Sequence, residues 1–136
     1  MEKLKIVAIN GAVIFFFAII LVWGNAWHRQ KIQFQKGEAA MARGDYIAAV
    51  AGYEASIHMY TPFSSRVQEA AQKLWMVGQR LEQSGDSARA LVAYRSLRSS
   101  FYAVRGLNAP GKDWIDRCDE RISALLKAQA TALPHK

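Results

Sequence analysis

Side chains able to do acid–base, nucleophilic or metal chemistry are few in this sequence and are scattered along it. The histidines lie in unrelated contexts: His28 follows an uncharged apolar run, His58 lies near a predicted helix end, and His135 is in the tail. No His-x3-His pair, glycine-rich phosphate loop or Gly-x-Ser-x-Gly elbow is present. The sequence therefore predicts no catalytic residue, no metal site and no cofactor, and the chain is not expected to be an enzyme.

An acidic cluster and one cysteine near the last predicted helix are the strongest remaining candidates. Asp113, Asp116, Asp119 and Glu120 could suggest a metal or acid–base site, but carboxylates also stabilise the N-terminal end of a helix. We favour that second interpretation. The single cysteine, Cys118, excludes an internal disulfide or a multi-cysteine metal site, and its place on an apolar stripe predicts a buried thiol.

The net charge of +7 favours an anionic partner such as lipid headgroups or an acidic protein, although solubility alone also explains it. No acidic residue lies between Asp86 and Asp113. The basic strip in this interval consists of Arg89, Arg95, Arg98 and Arg105. We interpret it as a contact for lipid phosphates or an acidic partner, with a solvated helix face as the alternative. Nucleic acid is not expected, because no recognised binding motif is present.

The first 28 residues predict a transmembrane anchor. From Ile6 to His28 there is no Asp, Glu, Lys or Arg, and about 20 apolar residues cross a hydrocarbon core of about 30 Å. Trp23 and Trp27 lie where an aromatic belt at the headgroups is expected. The alternative is a cleaved signal peptide, since residues 24–26 resemble a small-x-small cleavage site, but the apolar run is longer than a signal requires.

The orientation of this anchor rests on the charges at its two ends. Lys3 and Lys5 precede the span, whereas Arg29, Lys31 and Lys36 follow it, so the positive-inside rule is nearly balanced. A short basic head before a long apolar run is typical of a signal-anchor. We therefore expect a single-pass membrane protein with its polar domain outside the cytoplasm, in the periplasm if the source is a bacterium.

Small residues in the anchor could bring a second membrane helix close. Ala8, Gly11 and Ala12 form a small-xxx-small surface, and Asn10 could hydrogen-bond across it. Non-specific anchoring is the alternative.

The polar part of the chain repeats itself with a shift of 41 residues. The matched pairs are Gly37 and Gly78, Gly44 and Gly85, Asp45 and Asp86, Ala49 and Ala90, and Tyr53 and Tyr94. The first glycine of each set lies mid-helix, where it allows close packing at a cost of about 1 kcal/mol against alanine. Each Gly-Asp pair predicts a helix end followed by an N-cap, and the alanine and tyrosine share a helix face.

These matched residues resemble the tetratricopeptide repeat, whose pattern has a glycine in the first helix, Gly-Asp-Tyr at the turn, and then an alanine and an aromatic residue. The resemblance implies two helical hairpins, at about residues 31–62 and 63–104. The repeat length departs from the usual 34 residues, and we expect the extra residues to lengthen the helix that starts at Thr61-Pro62. A capping helix is predicted at about 113–129. Its apolar face consists of Trp114, Cys118, Ile122, Leu125 and Leu126.

In this family the first helix of each repeat lines a concave groove that binds protein segments. Carried over by position, the groove residues are Lys31, Phe34, Glu38 and Met41, followed by Gln72, Trp75, Gln79 and Glu82. Phe34 and Trp75 would form an aromatic floor, with packing of both against the capping helix as the alternative. The basic clamp that grips a C-terminal carboxylate in some members is not visible.

Together these features predict an all-α protein with a transmembrane anchor at residues 1–28 and a tetratricopeptide-like domain at 29–136. The expected function is that of a membrane-anchored adaptor or scaffold with protein partners and no small-molecule substrate. The alternative is an accessory subunit of a larger membrane complex, held through its transmembrane helix.

Overall fold

The computed structural model describes residues 1–61, 64–106 and 109–132, and within these ranges every regular element is a helix. The elements are α1 (Glu2–Ala42), α2 (Tyr46–His58), α3 (Arg66–Gln83), α4 (Ser87–Ala103) and α5 (Lys112–Ala132). The predicted all-α class is confirmed. The expectations for Pro62 and for the tail histidine, His135, lie outside the described residues.

Helix α1 is one continuous helix of 41 residues, about 60 Å long at 1.5 Å per residue. Its first part is exposed on all sides, and it is long and apolar enough to cross a membrane. No helix end separates this apolar part from the charged part after His28. The expected anchor and the first helix of the first hairpin are therefore a single rigid element.

Both hairpin turns are built from the Gly-Asp pairs. Gly44 and Gly85 have φ values of +74° and +79°, in the left-handed region where a side chain is strained. The Asp45 carboxylate accepts a hydrogen bond from the backbone N–H of Ala48 at 3.1 Å. The Asp86 carboxylate accepts one from the backbone N–H of Arg89 at 3.0 Å. Each turn thus ends one helix and caps the next within three residues.

The helices form two layers. α2 packs between the second half of α1 and α3, while α4 packs between α3 and α5 and also contacts α2. This places α1, α3 and α5 on one side, and we call their exposed surface the odd-helix face; α2 and α4 form the even-helix face. The core between the layers contains the fully buried side chains of Tyr53, Leu74, Tyr94, Leu97 and Phe101.

Helix α3 starts later than the sequence predicts. It begins at Arg66, so Thr61 lies before the helix rather than at its N-cap. The later start of α3 is explained by the hydrogen bonds of two hydroxyl groups that precede it. Thr61 and Ser64 donate hydrogen bonds to the side-chain carbonyl of Gln30, at 3.3 and 2.7 Å. The Thr61 hydroxyl therefore bonds to Gln30 of α1 instead of capping α3.

Candidate partner-binding surface

A tyrosine ring covers a glycine in each hairpin. A Cβ atom added to Gly37 would lie 2.8 Å from ring atoms of Tyr53, and one added to Gly78 would lie 2.6 Å from ring atoms of Tyr94. Ala49 and Ala90 are fully buried beside these contacts. The glycines of the repeat therefore make room for the tyrosine rings as well as for close helix packing.

Each of these tyrosines also takes part in a polar bridge between three helices. In the first bridge, the Tyr53 hydroxyl donates to Glu38 Oε1 at 2.5 Å, and Lys73 Nζ donates to Glu38 Oε2 at 2.9 Å. This links α2, α1 and α3 through one carboxylate. Glu38 belongs to the groove set predicted from the sequence, so that prediction placed it on the correct helix but did not foresee its internal partners.

The second bridge repeats the arrangement one hairpin later. The Tyr94 hydroxyl donates to Glu82 Oε2 at 2.7 Å, and Arg121 contacts the two carboxylate oxygens of Glu82 at 2.7 and 2.9 Å. The carboxylate thus joins α4, α3 and α5. The two glutamates are 44 positions apart rather than 41, because the second comes from one turn later in its helix. A strict search at the repeat length therefore misses this equivalence.

The bridges set the protonation of their members. Burial raises the pKa of Glu38, but hydrogen bonds from Tyr53 and Lys73 outweigh this effect and lower the pKa overall. Burial likewise raises the pKa of Glu82, but the contacts with Arg121 and Tyr94 outweigh burial and lower the pKa overall. Burial and the adjacent carboxylates raise the pKa of both tyrosines. At neutral pH each bridge therefore joins a charged glutamate to a neutral tyrosine.

Three half-buried aromatic side chains lie on the odd-helix face, one from each helix, and we call them the aromatic row: Phe34, Trp75 and Trp114. The Phe34 ring packs 5.7 Å from the Tyr53 ring, between centroids. Trp75 lies between Tyr94, at 4.8 Å, and Trp114, at 6.2 Å. Trp75 thus contacts the last helix as well as its own hairpin, whereas the ring contact of Phe34 is to α2.

Cationic and polar side chains border the aromatic row. The Arg66 guanidinium lies 5.6 Å from the centroid of Phe34, and Arg117 lies 5.3 Å from that of Trp114. The Trp114 indole N–H donates to Gln68 Oε1 at 2.8 Å. Guanidinium groups stacked on rings keep the rings partly covered while leaving them available to a ligand that can replace the cation.

The other predicted groove residues lie on the same three-helix surface. Met41 is half-buried, and the exposed members are Lys31, Gln72 and Gln79. Next to Trp75 there is an open depression of about 470 Å³, whose remaining walls are Arg117, Glu120, Arg121 and Ala124. The alternative that the aromatic residues pack against the capping helix holds for Trp75, which contacts Trp114 of α5. Sequence reasoning did not include residues of α5 in the surface itself. A usable signal was present, since Trp75 and Trp114 are separated by nearly one repeat length.

The structure does not bring the basic strip together as one surface. Arg89 is at the start of α4 and pairs with Asp86 at 2.9 Å. Arg98 pairs with Asp119 of α5. Arg105 lies beyond the other end of α4, with its guanidinium 4.5 Å from the Tyr102 centroid, and Arg95 is exposed between them. The strip is thus spread along the helix, with Arg89 at its start and both Arg98 and Arg105 over the Tyr102 ring, 5.1 and 4.5 Å from its centroid.

The small residues of the predicted membrane contact are exposed on α1: Ala8, Asn10, Gly11 and Ala12. A Cβ added to Gly11 would meet no atom within 4 Å. This side of the helix is therefore open to a neighbouring membrane helix or to lipid.

Among the candidates for chemistry found in the sequence, Cys118 is buried, and Asp116 and Asp119 form ion pairs. Cys118 is buried, and burial followed by the nearby Asp119 raises the pKa of its thiol to about 12. Asp116 pairs with Lys112 at 2.6 Å. Across residues 1–61, 64–106 and 109–132, no three His, Cys, Asp or Glu side chains are grouped as metal ligands would be.

The odd-helix face therefore offers a ligand half-buried rings, side-chain amides and paired charges. No protein-family model matches the sequence, and neither a curated protein nor a solved structure matches it.

Proposed function

We propose that this chain is a membrane-anchored adaptor of the tetratricopeptide type, which holds a segment of a partner protein against its odd-helix face. The aromatic row carries this proposal, because it places one half-buried ring on each of the three helices of that face. Aromatic side chains supply most of the binding energy at many protein interfaces.

The assignment to the tetratricopeptide type is supported by features that recur in both hairpins. Each has a glycine of positive φ at its turn, an aspartate N-cap, and a tyrosine packed on a mid-helix glycine. The two first helices lie side by side, as the ion pair between Glu38 of α1 and Lys73 of α3 indicates. Stacked helical pairs of this kind form extended surfaces that bind partner segments.

The anchor is proposed on the apolar part of α1, which is long enough to cross a bilayer. With the basic head at Lys3 and Lys5 in the cytoplasm, the helical hairpins lie outside it, in the periplasm of a bacterium. The adaptor would then collect its partner at the surface of the membrane.

A matched pair of substitutions tests which face binds the partner. Met76 lies on the stripe of α3 that also carries Gln72, Trp75 and Gln79, and 43% of it is exposed. Val92 on the even-helix face is 48% exposed. Because neither side chain is in the core, Met76→Glu and Val92→Glu should both leave the fold intact. We expect Met76→Glu to weaken partner binding at least tenfold by placing a charge beside the aromatic row.

The measurement is quantitative co-purification from the native host in mild detergent, with the full-length chain tagged at its C-terminus. A stoichiometric partner that is lost with Met76→Glu and retained with Val92→Glu supports the adaptor. Equal retention by both variants contradicts binding at the odd-helix face.

A second candidate function rests on the small-residue pattern of the apolar segment, which is exposed on all sides. The chain could be an accessory subunit of a membrane complex, held by helix contacts at Ala8, Asn10, Gly11 and Ala12. Replacing residues 6–27 with an unrelated span separates the two candidates. Loss of the partner with the span favours the accessory subunit, whereas a partner retained by the swapped chain and lost with Met76→Glu favours the adaptor.

A further inference from the structure

The junction between the apolar segment and the helical hairpins is stiffened by a buried glutamine. Gln30, two residues after His28, is fully buried, and its amide N–H groups donate to the carbonyls of Ser56 and Met59 at 3.2 and 3.1 Å. The hydroxyls of the following connection donate to its carbonyl oxygen. The end of α2 is therefore attached directly to α1, so the hairpins and α1 tilt together as one body and do not swing on a linker.

The connection after α2 lies beside the apolar segment itself. An open depression of about 690 Å³ has Tyr60 and Thr61 on one side and apolar α1 residues, including Trp23 and Ala26, on the other. Tyr60 is 41% exposed, and Trp23 and Trp27 are at least half exposed. Tyrosine and tryptophan are the side chains enriched at the headgroup level of a bilayer.

The alternating direction of the helices brings the second connection to the same end of the hairpins. α1, α3 and α5 run away from the apolar segment, while α2 and α4 run back toward it. We call this the membrane-proximal end. It comprises residues 28–31, the described residues of the α2–α3 and α4–α5 connections (59–61, 64–65, 104–106 and 109–111), and the adjoining helical turns.

The charges at the two ends of the hairpins differ. In the membrane-proximal end, the acidic residues are Glu69, Asp113 and Asp116, the last of which pairs with Lys112. The five basic residues there are Arg29, Lys31, Arg66, Arg105 and Lys112. The opposite end, formed by the two Gly-Asp turns and their adjoining helical turns, is balanced. Its basic residues are Arg43, Arg80 and Arg89, and its acidic residues are Asp45, Glu82 and Asp86. Only the end next to the apolar segment has an excess of positive charge.

We propose that the membrane-proximal end docks on anionic lipid headgroups of the bilayer that α1 crosses. This inference rests on the anchoring part of the proposed function and not on the protein partner. Four of the five basic side chains are exposed, and Arg66 is half-buried. Each Lys or Arg near an anionic surface favours the docked state by about fivefold. Docking keeps the axes of α3 and α5 along the membrane normal. The odd-helix face is then directed parallel to the membrane plane, where a partner can reach it.

Local contacts at this end leave the cations available to phosphate. Lys112 pairs with Asp116, but its side chain is 71% exposed. Arg66 is 3.9 Å from Glu69, at the limit of an ion pair, and Arg105 stacks on the Tyr102 ring. Exposed pairs of this kind contribute little, so exchange of the carboxylate for a lipid phosphate costs little.

The test uses the full-length chain in lipid nanodiscs, with fluorescent labels at the two ends. Gly106→Cys labels the membrane-proximal end and Gln83→Cys labels the opposite end; both positions are exposed. The natural Cys118 is buried with a raised thiol pKa, so the introduced cysteine reacts selectively. Quenching by a nitroxide on the lipid headgroups measures how near each label is to the bilayer.

We expect stronger quenching at position 106 in discs with about one-third phosphatidylglycerol than in pure phosphatidylcholine, and no change at position 83. High salt should abolish the difference. Arg105→Gln with Lys112→Gln should lower the ratio of docked to undocked chain by about 25-fold. Arg43→Gln with Arg80→Gln removes the same charge from the opposite end and should have no effect.

Several outcomes overturn the proposal. Quenching at position 106 that is independent of lipid charge, or an equal effect of the two double variants, contradicts docking and leaves the anchor standing. A chain that does not co-elute with the discs contradicts the anchor and the docking together. None of these outcomes depends on whether a protein partner binds the odd-helix face.

Discussion

The two helical hairpins share a plan but differ in how closely their helices approach. In the first hairpin, a Cβ atom added to Gly52 would lie 2.5 Å from the backbone nitrogen of Gly37. The backbones of α1 and α2 are therefore in direct contact. The position equivalent to Gly52 in the second hairpin is Ala93, which is fully buried between α4 and α3. The hairpin next to the apolar segment thus packs backbone to backbone, and the other packs through a methyl group.

The polar bridge, in contrast, is better shielded from solvent in the second hairpin than in the first. Glu38 of the first bridge has a side chain 40% exposed and one cationic partner, Lys73. Glu82 of the second bridge is only 11% exposed and is held by Arg121 through two short contacts. One repeat pattern is therefore stabilised in two different ways in this chain. Close packing and the Gln30 network dominate the first hairpin, whereas a shielded ion pair contributes more to the second.

The largest expected effect is that of Gly52→Ala. Because the atom opposite the new methyl group is backbone, only separation of α1 and α2 relieves the overlap. We expect a loss of about 3 kcal/mol in the free energy of unfolding, even though alanine is the better helix former. Denaturant unfolding of the full-length chain in detergent, followed by circular dichroism, measures this loss.

The matched change in the second hairpin is Ala93→Gly. It removes one buried methyl group and adds a helical glycine, and we expect a cost of about 1–2 kcal/mol. If Gly52→Ala cost no more than Ala93→Gly, the proposed difference in helix approach would be wrong.

The next effect concerns Gln30, whose position in the second hairpin is taken by Ala71. Gln30→Met keeps the length of the side chain but leaves the carbonyls of Ser56 and Met59 without their donor. We expect a loss of about 2 kcal/mol. The control is Gln72→Met, at an exposed position, which should change stability by less than about 0.5 kcal/mol. A loss for Gln30→Met as small as that of the control would exclude a structural role for the network.

The smallest expected losses of stability are those of substitutions in the two bridges, and they differ between the bridges. Glu82→Gln should cost about 1 kcal/mol, because it removes a shielded charge from Arg121. Glu38→Gln should cost less, because its ion pair is exposed. Cys118 provides a local probe, since its buried thiol reacts only when α5 opens. Thiol labelling should accelerate with Glu82→Gln and stay near the wild-type rate with Glu38→Gln; the reverse order would contradict the comparison.

The same bridges predict how stability depends on pH. The folded state lowers the pKa of both glutamates below 4.5. The stability that they contribute is therefore complete above that pH and is lost as the pH falls through the lowered values. Unfolding at pH 3 to 7 should show a steeper acid loss for the wild type than for Glu82→Gln. Identical pH profiles would show that the second bridge does not contribute.

Much of the helical framework could be predicted from local patterns. A charge-free apolar run predicts the exposed first part of α1, and each Gly-Asp pair lies at a turn with the expected positive φ and aspartate cap. The start of α3 was mispredicted because Thr61 has a suitable side chain for a cap but bonds to Gln30 instead. A local rule cannot anticipate that competition, since the competing acceptor is 31 residues away.

The site was predictable only in part. Phe34 and Trp75 were named from the repeat, but Trp114 and Arg121 were not, because they come from α5, outside the two repeats. Lys73 was not named either, because the residue one repeat length earlier is Ile32. The basic strip is an example of residues that the sequence groups together and the fold separates. Arg89 and Arg105 look continuous in the sequence, yet a helix of 17 residues places them at opposite ends.

The sequence by itself determined the all-α class, the long apolar helix and the two turns, because periodicity, charge and glycine act over a few residues. The tertiary structure alone decided which carboxylate each tyrosine meets, which helices share a face, and which basic residues gather beside the apolar segment. These depend on the alternating direction of packed helices, which brings together side chains that are far apart in the chain.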